Sequence, residues 1–267
     1  MIETIRQWVA CPFYYSAIFI GFLRQDIIGR YKGTMAGLLW IILSPLATMF
    51  SFAFVFSVVL KMRLNLDEVG TDSFVIYLLS GLLPWLMFSQ ALQNAPQVLI
   101  EKSNIITKVK FPIQVLPYVS GAVFFVTNGV GLGLFMLYLI FNGYVGLSWL
   151  GLIPLLLAFY LFVVGLIAII SATAVYFRDL AQIVTVVVSL WFYMTPILYP
   201  LSMVPEKYQG VMQINPAYFF IHSFRQILLN NSVPYLVFSI FIIMSLVIYF
   251  LGGIYFNKVK AGFGDIL

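Results

Sequence analysis

Charge is what this chain has least of. Only 9% of its 267 residues are charged, against about 25% in a soluble domain, while 63% are hydrophobic and the mean hydropathy is +1.04. A soluble core of this length cannot hide so much apolar surface, so the solvent must be largely lipid. Cysteine is nearly absent. Cys11 alone excludes a disulfide framework within the chain and any Cys-based zinc site. The single histidine, His222, argues against a histidine cluster. No G-x-x-x-x-G-K-[ST] phosphate loop, H-E-x-x-H or G-x-S-x-G motif is found, so ATP binding by that loop is not expected in this chain. No carboxylate falls mid-span to relay protons or bind sodium, and secondary transport and intramembrane catalysis lose ground for that reason. The N-terminus lacks the basic region, short apolar run and small-residue site of a cleavable signal peptide. A net charge of +5 would suggest nucleic acid in a soluble chain. In a membrane chain, cytoplasmic Lys and Arg account for it, so no nucleic-acid partner is expected.

What is present is organised by the bilayer. About 20 apolar residues of helix cross a hydrocarbon core about 30 Å thick. Six segments qualify: 38–60, 74–96, 113–141, 150–176, 181–203 and 234–256, none with a charged residue or histidine. Arg6, Arg24, Arg30, Lys32, Lys102, Lys108, Lys110, Arg178, Lys258 and Lys260 fall on one side; Lys61, Arg63, Lys207 and Arg225 fall on the other. Ten against four of the 14 basic residues puts both termini in the cytoplasm. The segment 61–73, with Asp67, Glu68 and Asp72, then lies outside. Pro45, Pro84, Pro96, Pro154, Pro196 and Pro200 lie in or beside spans, either as simple kinks or as breaks around a path.

Four segments do not span. Residues 13–32 begin aromatic (Phe13, Tyr14, Tyr15, Phe19, Phe22) and end mixed, with Leu23, Ile27, Ile28 and Tyr31 on one arc beside Arg24, Asp26, Arg30 and Lys32. This fits an amphipathic helix in the cytoplasmic interface, the alternative being a marginal seventh span over 9–23. The cytoplasmic loop 97–112 offers Ser103 or Asn104 as a cap for a short helix with Ile105, Ile106 and Val109 on its apolar side, ended by Pro112. It reads either as a docking element for a partner or as a solvated loop. In Tyr176-Phe177-Arg178-Asp179-Leu180, Asp179 fits the start of span five as a cap. The external segment 200–233 is too apolar for a loop. Two short helices hinged at Asn215-Pro216 explain its pattern, either dipping back into the outer leaflet or lying flat on it.

Aromatics make up 18% of the chain, with 16 Tyr and 5 Trp. Aromatic faces stack on sugar rings and tolerate sliding, although bilayer interfaces also favour Tyr and Trp. The runs that neither packing nor an interface explains easily are Phe50, Phe52, Phe54 and Phe56 in span one, and Trp191, Phe192 and Tyr193 in span five.

Two ordered blocks carry a family likeness. The run Arg24-Gln25-Asp26-Ile27-Ile28-Gly29-Arg30-Tyr31-Lys32-Gly33, leading into Gly37-Leu38-Leu39-Trp40 and Ser44-Pro45-Leu46, resembles the N-terminal region of polysaccharide and polyol-phosphate export permeases of the ABC-2 type. Phe177-Arg178-Asp179-Leu180, then Thr195-Pro196-Ile197-Leu198-Tyr199-Pro200, Pro205, Asn215-Pro216 and Arg225, resembles the same family's C-terminal signature. The likeness covers nearly the whole chain and is strongest to O-antigen exporters, with teichoic-acid and capsule exporters near behind. Ser44 departs from it, since many relatives carry Asn before that proline.

The resemblance implies an all-α integral membrane protein of six transmembrane helices, with an N-terminal interface helix and re-entrant external helices between spans five and six. It implies a multi-pass protein of the bacterial inner membrane, a homodimer joined by two ATPase subunits that supply ATP and magnesium, so that this chain needs no cofactor and is not itself an enzyme. The substrate would be a lipid-linked glycan, with a small lipid or drug as the rival cargo and a non-transporting membrane scaffold as the rival class. Substrate entrance would fall to Arg24, Asp26, Arg30, Tyr31 and Lys32 on the interface helix. The path would use Trp40, Phe50, Phe54, Trp191, Tyr193 and Tyr199, and the external gate Tyr218, Phe219, Phe220 and Arg225. Coupling to the ATPase would fall to Ser103, Ile105, Ile106, Lys108, Arg178 and Asp179.

Overall fold

A computed structural model describes residues 2–61 and 70–267, and among these every regular element is helical. The expected external residues Arg63, Asp67 and Glu68 lie outside the described residues. The chain opens with α1 (Ile2–Tyr14) and α2 (Ser16–Tyr31). The break at Tyr15 shortens the interface helix expected over 13–32 and leaves no continuous helix for a span over 9–23. Trp8 anchors α1: its ring lies 4.9 Å from that of Tyr118, and its carbonyl accepts the Tyr118 hydroxyl at 2.9 Å. Gly253 makes room for it, since a Cβ there would stand 2.6 Å from the indole.

Five stretches are long and apolar enough to cross a membrane: Gly37–Val59, Phe74–Asn94, Val115–Phe141, Leu147–Tyr176 and Tyr235–Gly262. They contain α3 (Trp40–Ala53, continued by a π-turn over Phe54–Val59), α4 (Phe74–Asn94), α7 (Val115–Phe141), α8 (Leu152–Tyr176) and α12 (Tyr235–Val259). Between α4 and α7 lie the short α5 (Gln97–Ile100) and α6 (Ser103–Lys108). Helix α4 is central and buried along nearly its whole length. Helices α8 and α12 cross closely because both carry glycine there. A Cβ on Gly165 would stand 2.6 Å from the Ile248 carbonyl oxygen, and Gly252 faces the Gly165 backbone in turn. Small residues at such a crossing let backbones approach and gain van der Waals contact where lipid supplies no hydrophobic drive. Pro45 of α3 fits against Gly131 of α7 in the same way.

The segment expected to cross as span five does not do so as one helix. It forms α9 (Leu180–Tyr193), only 14 residues or about 21 Å, short of a core about 30 Å thick. Thr195 and Pro196 explain the stop: Pro196 has no N–H to give and disfavours helical backbone in the residue before it. The other prolines divide by position. Pro45 and Pro84 sit inside α3 and α4, Pro154 in the first turn of α8, and Pro96 and Pro200 outside helices.

Helices α10 (Glu206–Ile214) and α11 (Pro216–Leu229) follow, joined at Asn215 as the sequence suggests. Their junction lies beside α4. Trp191, which bonds Asn215, packs on Trp85 and Phe88 of α4 (6.3 and 5.2 Å), and Phe220 packs on Phe88 (5.5 Å). Phe88 is about 21 Å along α4 from its start at 1.5 Å per residue. The far end of α11 meets Gly70, just ahead of α4. The α11 interior is fully buried, with Phe220 stacked on Phe159 at 4.6 Å. The chain closes with α13 (Phe263–Ile266), whose Phe263 packs on Phe256.

Candidate functional site

Helices α3 and α9 both pack on α4 and leave their other sides uncovered in the single chain. No residue of α3 is buried, and in α9 only Val184 and Val188 are. Phe50, Phe54 and Tyr193 are 72%, 50% and 67% exposed, and Trp40 is also exposed. Their hydroxyl neighbours need nothing from outside: Thr48 and Ser51 donate to Ser44 and Ala47 carbonyls, Thr185 and Ser189 to those of Ala181 and Thr185. The face is therefore uncharged, aromatic and internally satisfied. Phe52 and Phe56, in contrast, stack on each other and face inward, with Phe56 4.8 Å from Phe74.

Of the path residues expected from the sequence, Trp191 and Tyr199 are placed differently. The Trp191 indole N–H donates to Asn215 Oδ1 at 2.6 Å, which holds the ring against the bundle. The Tyr199 hydroxyl donates to the Tyr193 carbonyl at 2.8 Å, folding the post-α9 segment back on its helix. Asn215 joins these pieces. Its Nδ2 donates to the Met194 carbonyl (3.2 Å) and Thr195 Oγ1 (2.9 Å), while Oδ1 also accepts the Ala217 N–H (2.9 Å) and so caps α11. One side chain thus serves the open C-terminus of α9 and the open N-terminus of α11.

At the α6 end of the bundle, α2 lies against α7. Arg30 Cζ stands 4.0 Å above the Phe124 ring, and Lys102 Nζ is 2.6 Å from Asp26 Oδ1. A cavity of about 350 Å³ opens between these elements, lined by Asp26, Arg30, Asn94, Glu101, Lys102 and Ser120. Burial, the largest influence, pulls the Arg30 pKa down, opposed by Tyr31, Asp26 and Glu101; an arginine so placed stays charged at neutral pH. Arg24 and Lys32 are exposed and without a side-chain partner among the described residues. Tyr31 offers its carbonyl to Thr34. The structure brings Asp26 and Arg30 to one cavity, where Arg30 remains exposed, and leaves Arg24 and Lys32 on the surface outside it.

The coupling residues scatter. Helix α6 begins at Ser103, two residues before the expected start, with no side-chain cap, and ends at Lys108, ahead of Pro112. Ile106 is buried within this chain rather than displayed, Ile105 is half-buried, and Val109 and Lys108 are exposed. Asp179 takes the N-cap position of α9 as expected, yet its carboxylate makes no cap bond. Arg178 and Asp179 are both exposed.

At the opposite end, Arg225 is buried. Its Nη1 donates to the Tyr77 hydroxyl (2.8 Å) and the Pro196 carbonyl (2.6 Å), and Nη2 to the Ile197 carbonyl (2.8 Å). Its Cζ stands 3.7 Å above the Tyr77 ring. Gly81 admits the guanidinium, since a Cβ there would stand 2.7 Å from Nη2. Tyr218 stacks on His222 at 5.1 Å, Phe219 is half-buried, and Phe220 belongs to the core. Tyr77 was not marked by the sequence, where it is one apolar-run tyrosine among 16. Its only signal was Gly81 one turn on.

A family model described as ABC-2 type transporter matches residues 18–229. An O-antigen export system permease protein, RfbA, of Klebsiella pneumoniae is 30% identical over 259 residues, 95% of this chain and 96% of that protein. The RfbA protein of Myxococcus xanthus, also an O-antigen export system permease, is 29% identical over 241 residues, 88% of this chain and 87% of its own.

Proposed function

The chain belongs to the ABC-2 type transporter family, and from that premise we propose that it is the membrane-spanning permease subunit of an exporter that carries a lipid-linked polysaccharide of the O-antigen kind across the bacterial inner membrane. The observation that carries the reading is the similarity over 95% of the chain to a permease named for O-antigen export. The uncharged aromatic face of α3 and α9 supports it, because a polymer of sugars slides along stacked rings without meeting a charge that must be left behind.

On this reading the chain works as a homodimer in which the α3 and α9 faces of two copies enclose the path, with Trp40, Phe50, Phe54 and Tyr193 along it. Two separate ATPase subunits dock at α6, with Ser103, Ile105, Lys108, Arg178 and Asp179 within their reach, and supply ATP and magnesium. The substrate head group enters beside α2, where Arg24, Arg30 and Lys32 meet its negative charge. Helix α9 is the sixth crossing, completed by the segment after it, and α10 and α11 re-enter from outside to form the external gate with Tyr218 and Phe219. Both termini are cytoplasmic, by the bias of Lys and Arg.

Deleting the gene in a strain with a long surface polysaccharide tests this reading. Loss of the surface polymer, with lipid-linked polymer building up inside, is the expected result. Normal surface polymer with failed efflux of a small amphiphile would assign the chain to small-molecule transport instead.

A further inference from the structure

Arg225 is a buried cation with no counter-charge bonded to it among the described residues. It is 8% exposed, and its three bonds end on two carbonyls and a phenol hydroxyl, all neutral. Its Nε–H is buried and unpartnered. Among the described residues the one side-chain ion pair is Lys102–Asp26, at the other end of the bundle. Burying a charge without a counter-charge is costly, and carbonyl dipoles and a ring face offset only part of that cost.

Beside the guanidinium lies a cavity of about 330 Å³, lined also by Tyr77, Tyr218, His222, Gln226 and Asn230, with no carboxylate among the described residues of its wall. Its polar groups are biased towards donation. The Gln226 Oε1 already accepts from Asn230 Nδ2 and Ser232 Oγ, both at 3.0 Å, which leaves the Gln226 amide NH₂ to donate. Neither ring nitrogen of His222 has a hydrogen-bond partner among the described residues, and stacking on Tyr218 fixes the ring. Arg225, Gln226 and His222 share one helix, so the donors are preorganised on a rigid element. A neutral sugar would satisfy the donors but leave the charge. A carboxylate- or phosphate-bearing group satisfies both, and a guanidinium with spare N–H groups favours the tetrahedral, multiply accepting phosphate.

We propose that this cavity binds a phosphate-type oxyanion, carried by a lipid head group or free in solution, at the end of the bundle remote from α6. The site shares Tyr218 with the proposed gate, but the inference rests on the charge and donors around Arg225 and not on what the exporter carries.

Native mass spectrometry of the purified full-length chain in detergent tests it, with phosphatidylglycerol, diacylglycerol and inorganic phosphate as probes. Because Arg225 also holds the Pro196 and Ile197 carbonyls, Arg225→Lys risks misfolding. His222→Phe keeps the stack on Tyr218 and removes the ring nitrogens, so it is the second variant. The wild type is expected to retain phosphatidylglycerol over diacylglycerol or to bind inorganic phosphate. His222→Phe is expected to bind about tenfold more weakly, the effect of one lost hydrogen bond to a charged group. Phosphatidylglycerol retained where inorganic phosphate fails to compete would make the ligand a lipid phosphate; competition would make it a free oxyanion. Equal retention of phosphatidylglycerol and diacylglycerol with no phosphate binding would overturn the proposal. So would a His222→Phe protein that binds as the wild type does.

Discussion

Lys102 and Asp26 form an ion pair of 2.6 Å between the residue that precedes α6 and the middle of α2. Lys102 also stands 5.3 Å from the Phe22 ring, so it touches α2 at two points one turn apart. The pair joins the helix proposed to meet the ATPase to the helix proposed to meet the substrate. A partly exposed pair of this kind contributes only about 0.2–1 kcal/mol to stability. Reversing one charge is therefore expected to leave the fold intact but to cut export severalfold, and Asp26→Lys with Lys102→Asp is expected to recover part of it. Surface polymer per cell at matched expression reads the effect. Full export in both single variants would remove the pair from the coupling route.

Asn215 is expected to matter more for stability than its place in a short connection suggests. Asn215→Ala leaves the Trp191 N–H and the Met194 carbonyl without their Asn215 partner and removes the α11 cap. An unmet buried partner costs about 1–3 kcal/mol and a lost cap about 1 kcal/mol. Asn215→Asp keeps the acceptor oxygen but turns the Nδ2 donor into a second oxygen facing the Met194 carbonyl, and should also lose stability. Thermal unfolding in detergent, followed by monodispersity on a sizing column, is expected to rank the wild type above both variants.

Gly165 tolerates no side chain. The clash in Gly165→Ala is with the Ile248 backbone, which cannot swing aside as a side chain does. Separation of α8 from α12 at that crossing is expected to cost about 1–3 kcal/mol. Gly133, with nothing within 4 Å of its would-be Cβ, is the control, and Gly133→Ala is expected to unfold close to the wild type.

Cys11 should be chemically silent while the fold persists. It is 2% exposed, and burial, the larger influence, raises its thiol from 9.0 to about 12 against the opposing pull of Lys260. The thiolate is the nucleophile, so maleimide at pH 8 should label the native chain about a thousandfold more slowly than a peptide cysteine. The raised pKa means that the neutral thiol's contribution to stability is whole below pH 9 and fades as pH rises from there towards 12. Fast labelling at pH 8 without denaturant would mean that α1 leaves its site on α7 and α12.

The bilayer made much of this fold legible. A charge inside hydrocarbon is costly, so runs without Asp, Glu, Lys, Arg or His marked five of the crossing helices within a few residues. Asn215-Pro216 marked a hinge because proline restricts its neighbour. The length of α9 was hidden, since hydropathy continues through Met194, Ile197 and Leu198 after the helix has stopped. Contacts between distant positions were hidden for a different reason. Nothing in the composition near Tyr77 or Asp26 announces Arg225 or Lys102, because these pairs are made by packing after the helices form. Ile106 misled in the opposite sense: an apolar residue on a short cytoplasmic helix reads as a partner's docking point, and here its own chain covers it.

The most direct measurement is transport by the reconstituted complex. The chain is purified with the ATPase subunits that copurify with it and placed in sealed vesicles loaded on one face with lipid-linked polysaccharide. Appearance of the polymer on the opposite face is then followed with a membrane-impermeant lectin. ATP-dependent appearance of long polymer, abolished when the ATPase subunits are omitted, is the result expected of an ATP-driven polymer exporter. Vesicles that hydrolyse ATP but never expose the polymer, or that expose it equally without ATP, would contradict it.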